Sequence, residues 1–442
     1  MPKTGYQAGH LKTAPSKLAP TQPLSSNYKW WVVSMLWLIC FFNYADRQAL
    51  SGVAPRIQQE FDFTYAEMGL ISSAFMWVYA AAAPLAGFIG DRARRRNLIL
   101  GGCVFWSSVT VSTGWCGRLW HFVTVRALEG FGESFYYPAS MSLISDYHSP
   151  RTRSRAMALH QSSVYAGTIL GSWLGAWFAV RLGWRSGFYF FGGAGLILAL
   201  VLYSFLREPQ RGQTELGTPP ETPALSVVLR DIFRTPTAVA LMLVFLGANG
   251  VAGVFLFWTP TFLTQKFHFE LTTAGLNGAV YINAASACVV PFAGFFADRL
   301  SRRLAGGRIL AQSLGLLLGA GFIVAVGLTE SVSVLIMAMI CFGVFKGFYD
   351  AGIFASLYDV VHPRSRASAA GLMNTVGWSG GALATTLTGW YSDHGPYGSP
   401  TGNMSHIIAY GGLIYLGGGI LLLVVGWMFA RRDIFPAGAE RR

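Results

Sequence analysis

Twelve stretches of about twenty mostly apolar residues recur from residue 30 to residue 430, set off by glycine, proline and clusters of charge. That length is what an α-helix needs to cross the hydrocarbon core of a bilayer. The stretches lie near 30–52, 67–90, 97–116, 119–145, 156–180, 186–206, 237–263, 272–297, 309–328, 332–359, 367–391 and 406–430. Several contain glycine or proline, which spanning helices tolerate. None shows the strict alternation of a membrane barrel strand. Of the 442 residues, 53% are hydrophobic and 12% charged, whereas soluble domains carry about 25% charged residues. The pattern excludes a soluble enzyme, a disordered chain and a disulfide-stapled secreted module. It predicts an all-α integral membrane protein with twelve transmembrane helices.

The basic residues predict an orientation. With the N-terminus inside, twenty-five of the 33 Lys and Arg fall in inner segments and five in outer loops; Arg47, Arg126 and Lys346 fall within spans. This bias follows the positive-inside rule. It accounts for the net charge of +13 without nucleic acid and places both termini in the cytoplasm, in a multi-pass protein of the plasma or inner membrane. Residues 1–28 are polar and contain proline, with no cleavage-site pattern before the first span, so they read as a flexible cytoplasmic tail and not a signal peptide. Cys40, Cys103, Cys116, Cys288 and Cys341 have no metal or redox spacing.

The longest connection, 207–236, is polar, rich in proline and central. It reads as a cytoplasmic linker between six-helix bundles at 29–206 and 237–430, with a second cytoplasmic tail at 431–442. Its stretch 225–234 could form a short amphipathic helix on the inner surface. The two bundles echo one another. Residues 84–96 read PLAGFIGDRARRR and residues 291–303 read PFAGFFADRLSRR, identical at eight of thirteen positions. Residues 130–153 are echoed by 343–366, with Phe135-Tyr136 against Phe348-Tyr349 and Glu133 against Lys346. Parallel six-span repeats imply two halves related by an axis along the membrane normal, with a transport site between them.

The G-x-x-x-D-R-x-x-R-R loop between spans two and three, echoed between spans eight and nine, resembles the signature of the major facilitator superfamily over about residues 30–430. The glycine usual three positions after Asp91 is Arg94, and the matching place in the second copy is Ser301. The resemblance implies the major facilitator fold of two pseudo-symmetric bundles. Asp91 and Asp298 can each cap a helix end or pair with arginine to hold the inner face shut. With Arg92 and Arg299 they are the candidate gating residues.

Ionisable residues inside spans are costly and functional by default. They cluster here: Asp46 and Arg47 in span one, Arg126, Glu129 and Glu133 in span four, Lys346 and Asp350 in span ten. Arg126 and Glu133, seven apart, share a helix face; Glu129 lies about 60° off it. Lys346 and Asp350, four apart, can pair. If spans one and four line the cavity, Asp46, Arg47, Arg126 and Glu133 converge, opposed by Lys346 across the pseudo-axis. A carboxyl whose surroundings dry and wet in turn, beside an arginine, can take a proton on one side and release it on the other. Asp46 and Glu133 are the candidate proton carriers and Arg126 the cation that tunes them. Arg47 suits bidentate capture of a carboxylate or phosphate. A static ion-pair network is the plainer alternative, and Glu129 and Asp359 fit it better.

Two subfamilies share these charges. Asn43-Tyr44-x-Asp46-Arg47 with Arg126 and Gly132-Glu133 resembles the anion:cation symporters, which couple sugar acids and other organic anions to protons. That resemblance implies that Tyr44, Arg47 and Tyr79 bind the anion and that Asn374 in GLMN contributes. A glutamine known in some members falls at Val164, with Gln161 one turn away, and a second expected asparagine is Trp378. Asp46-Arg47-Gln48, the Gly-less loop after Asp91, Val164-Tyr165-Ala166-Gly167 and Arg207-Glu208-Pro209 resemble instead the spinster-like carriers of lysolipids and sphingolipids. His160 reads as a satisfied helix residue beside Gln161.

The sequence has no P-loop, nucleophile elbow or metal spacing. It therefore predicts no catalytic residues, metal or cofactor, the energy coming from a proton gradient, and a monomer in the lipid bilayer. The expected function is secondary transport by alternating access, proton-coupled symport of a small organic anion such as a sugar acid. A spinster-like lipid carrier is the alternative.

Overall fold

The computed structural model describes residues 27–90, 92–209, 225–362 and 365–434. Every regular element among the described residues is an α-helix. The N-terminal half holds α1 (Tyr28–Phe61), α2 (Tyr65–Gly90), α3 (Arg95–Thr113), α4 (Leu119–Ser134), α5 (Tyr136–Tyr147), α6 (Pro150–Arg181) and α7 (Trp184–Phe205). A short helix, α8 (Leu225–Phe233), precedes the C-terminal half. That half holds α9 (Pro236–Lys266), α10 (Leu271–Ser301), α11 (Gly307–Leu328), α12 (Val332–Asp350), α13 (Ile353–Val360), α14 (Arg366–His394) and α15 (Pro400–Asp433). An amphipathic helix does form at α8, which buries Val228 and Ile232 and leaves Val227 and Phe233 exposed.

Ten of the twelve predicted spans are single helices. The other two are broken. Pro138 has no N–H to give the carbonyl of Ser134, and the fourth span divides into α4 and α5 just there. The tenth divides at Ala351-Gly352 into α12 and α13. Eight of the twelve are long and apolar enough to cross a bilayer on composition alone. The four that fall short are α1, α3, the α4–α5 pair and α14; α1 and α4 carry Asp46, Arg47, Arg126, Glu129 and Glu133, and α3 and α14 are rich in Ser, Thr and Gly.

Each half is held by a close helix pair of matching kind. Gly167, Gly171 and Gly175 of α6 face α1, and a Cβ built at Gly171 would lie 2.5 Å from Ala45 Cα. In the other half Gly377 and Gly380 of α14 face Phe245 and Leu246 of α9. Small residues three or four apart on one helix face let helix backbones approach in a membrane, where packing and not water drives association.

Contacts between the halves gather at the end opposite the arginine-rich loops. There Asp393 of α14 accepts the backbone N–H of Tyr65 (3.1 Å) and of Ala66 (2.7 Å), capping α2 from the other half. Tyr65 donates its hydroxyl to Gln265 of α9 at 2.5 Å. A Cβ at Gly275 of α10 would lie 2.8 Å from the Ser172 carbonyl of α6. At the arginine-rich end, Gly87 and Gly90 of α2 and Gly371 of α14 have nothing within 4 Å of a Cβ position.

Candidate functional site

The polar residues of α1 and α4 meet inside the N-terminal half. Arg47 Nε donates to Glu133 Oε2 at 3.0 Å, and Nη2 donates to the same oxygen. Nη2 also reaches Asn43 Oδ1 at 3.4 Å. The pair is buried, with side-chain exposures of 9% and 0%. Four aromatic rings surround the guanidinium: Tyr44 at 4.4 Å, Phe75 at 4.5 Å, Trp378 at 5.2 Å and Tyr79 at 5.7 Å from their centroids. Trp378 belongs to α14, so the C-terminal half closes this shell. Tyr79 and Trp378 stand 4.5 Å apart.

Arg126 pairs with Glu129 one turn along α4. Its guanidinium lies 4.8 Å from the Phe75 centroid, so one ring serves both arginines. Gly130 lets α4 approach the Phe75 backbone, where a Cβ would stand 3.1 Å from the carbonyl carbon. Asp46 points toward α3. Its Oδ2 accepts the Thr110 hydroxyl at 3.2 Å, and Thr110 also lies 3.4 Å from Glu129 Oε1. Asp46, Glu129 and Glu133 each offer an oxygen within 4.8 Å of the others. Three atoms of the cluster are buried without a hydrogen-bond partner among the described residues: Glu133 Oε1, Arg126 Nε and Asn43 Nδ2.

A cavity of about 70 Å³ opens onto this cluster, lined by Arg47, Arg126, Tyr44, Phe75 and Trp378 together with Gln48, Ser51, Ser72 and Thr168.

The structure thus gathers Asp46, Arg47, Arg126, Glu133, Tyr44, Tyr79 and Trp378. It pairs Arg126 with Glu129, where the seven-residue spacing points to Glu133. An arginine side chain reaches a carboxylate three residues on as easily as one along its own face. Phe75, Ser72, Thr168 and Thr110 are further members without a charge to flag them. Three candidates stand apart from this cluster. Gln161 of α6 accepts the Tyr137 hydroxyl at 3.0 Å. Lys346 pairs with Asp350 and faces Tyr165 of α6 across the halves. Asn374 is half-buried on α14, one turn before Trp378. His160 is buried, with Nε2 2.9 Å from the Tyr136 hydroxyl.

Of the gating candidates, Asp91 lies outside the described residues. Arg92 stays local, donating to the Phe88 carbonyl at 3.1 Å and covering the Phe88 ring at 3.5 Å. Asp298 accepts from Arg308 at 2.8 Å, and Arg308 also binds Asp359 at 2.6 Å. This bridge ties α10, α11 and α13 within one half. Arg299 is exposed.

The family model described as the Major Facilitator Superfamily matches residues 36–385. The chain belongs to the major facilitator superfamily. It is a multi-pass membrane transporter and not an enzyme. Among its relatives, the chloroplastic ascorbate transporter of Arabidopsis thaliana is 28% identical over 395 residues, covering 83% of this chain and 70% of that protein. Protein spinster homolog 1 of Homo sapiens is 33% identical over 241 residues, covering 53% of this chain and 46% of that protein. In fold, the chain is similar to a bacterial homologue of the human lysosomal transporter spinster, crystallised inward-facing and unoccupied. That likeness has a TM-score of 0.82 and 21% identity and covers 93% of this chain and all of that one.

Proposed function

We propose that the protein couples the uptake of a small organic anion, such as a sugar acid, to protons by alternating access. One observation carries the reading: a buried arginine ringed by aromatics, Arg47, has its hydrogen-bonding edge taken by a carboxylate, Glu133. A substrate carboxylate and Glu133 compete for the same N–H groups. A proton passing from water to Glu133 removes the competing charge and frees the guanidinium for bidentate capture of the anion. When the proton leaves, Glu133 reclaims Arg47 and the anion is expelled. The charge count agrees. Asp46, Glu129 and Glu133 with Arg47 and Arg126 sum to one negative charge when all are ionised, and one bound proton makes the buried group neutral.

In this reading Tyr44, Tyr79 and Trp378 pack on the substrate body, and Arg126 and Asp46 set the proton balance. The cavity widens to admit a solute, bringing Gln161, Lys346 and Asn374 within reach from the facing helices. Asp298 and Arg299 serve the inner face, with Asp91 and Arg92 as their counterparts. The arginine-rich loops and both termini lie in the cytoplasm of the plasma or inner membrane, and the carrier acts as a monomer.

The likeness to spinster proteins favours a second reading, a lysolipid or sphingolipid carrier. Thermal unfolding of the purified protein separates the two. The panel is hexuronates, hexonates, dicarboxylates, sugar phosphates and lysophospholipids. A ligand at 100 times its Kd adds about 2.7 kcal/mol. Stabilisation by a small anion, lost in Arg47→Ala, supports the symporter. Stabilisation by lysolipids alone overturns it in favour of the lipid carrier.

A further inference from the structure

α9 carries Pro260 in its interior. Proline has no N–H, so the carbonyl four residues earlier, on Leu256, loses its intrahelical donor. The structure supplies two from the other half. Gln48 Nε2 and Ser51 Oγ, both on α1, each donate to the Leu256 oxygen at 2.9 Å. Gln48 and Ser51 are buried, and α1 packs against α9. Such a carbonyl inside a membrane protein needs a donor, and leaving it bare is costly.

We infer that the proline-freed Leu256 carbonyl is the catch of a latch between the halves, with Gln48 and Ser51 as its bolts. The latch closes the passage at the end opposite the arginine-rich loops. It is made only while the halves lean together there, because its donors and acceptor sit on different halves. Opening at that end draws α1 from α9 and breaks both bonds at once. Water then hydrates the carbonyl. The latch is wired to the site by position: Gln48 follows Asp46 and Arg47 directly on α1 and lines the same cavity as Arg47. A shift of α1 as Arg47 changes partner moves Gln48 with it. The inference holds for either solute class.

Spin-label distances across the closed end test it, with the full chain in lipid nanodiscs. Labels go at Gln59→Cys at the end of α1 and Glu270→Cys before α10, both exposed, in a Cys288→Ala/Cys341→Ala background. In Gln48→Leu/Ser51→Ala, the long-distance fraction should rise at least about fivefold, the scale of one or two neutral hydrogen bonds. Pro260→Ala should move the distribution the same way, since a new N–H at position 260 claims the Leu256 carbonyl from within α9. Should the double variant fail to fold, Pro260→Ala and Ser51→Ala carry the test. Distributions that match the wild type in the folded variants overturn the latch.

Discussion

Arg47 and Glu133 stand 86 positions apart in the chain, yet Nε and Oε2 meet at 3.0 Å just behind the cavity that Arg47 lines. The pair joins α1 to α4 and leaves Glu133 Oε1 without a partner among the described residues. A carboxylate with one oxygen committed and one free can accept a proton without first losing its place.

Glu133→Gln takes the competing charge from Arg47 permanently. Anion affinity should become nearly independent of pH, and proton-driven accumulation should fall away while exchange persists. Binding isotherms at pH 5.5 and 8 check this. An affinity that still changes with pH as in the wild type would leave Glu133 a structural residue.

Arg47→Lys keeps the cation and loses the planar fork. Bidentate capture and ring stacking both depend on that plane, so anion affinity should drop by tenfold or more, which is about 1.4 kcal/mol. Titration calorimetry on the ligand found by thermal shift would register it. Equal affinity in the lysine variant would mean that Arg47 acts as a point charge only.

Asp46→Asn leaves Thr110 a hydrogen-bond acceptor but removes a charge from the three-carboxylate group. Uptake against a gradient in proteoliposomes should be abolished, with counterflow retained. Undiminished accumulation would exclude Asp46 from proton coupling.

Gly171→Val forces branched carbon atoms against the α1 backbone, where a single Cβ already lies 2.5 Å from Ala45 Cα. Overpacking of this kind costs about 1–3 kcal/mol. The melting temperature in detergent should fall by several degrees, whereas Gly87→Val, in open space, should change it little.

His148, in the turn between α5 and α6, is fully buried, with Nδ1 3.1 Å from Thr152 Oγ1 and Nε2 3.2 Å from the Lys29 carbonyl. Burial holds its imidazole below the ordinary range, and the Lys29 ammonium adds to that. A histidine depressed in the folded state stabilises fully above its unfolded value of about 6.5 and loses that contribution as the pH falls. Melting between pH 7 and 5 should therefore decline more steeply in the wild type than in His148→Gln. Parallel curves would exclude the effect.

Much of this was legible in the sequence, for reasons particular residues make plain. Long apolar runs mark the helices, and the cost of burying Asp46, Arg47, Arg126 and Glu133 marks the site. The partner of Arg126 was not legible, since helix phase ranks faces but a long flexible side chain chooses among them. The break between α4 and α5 was written in Pro138, whose effect on the Ser134 carbonyl the hydropathy pattern conceals. Phe75 and Thr110 could be any packing residues until the fold lays them against the charges. Pro260 was visible as a helix interruption, but its consequence depends on two donors some two hundred residues away.

The glycine seam between α6 and α1 leaves no layer of side chains that could yield between them. Two helices in backbone contact behave as one beam. Under the proposed alternating access, a tilt of α6 where it meets α10 would carry α1 with it, so the stroke would be set by geometry rather than by the softness of the core.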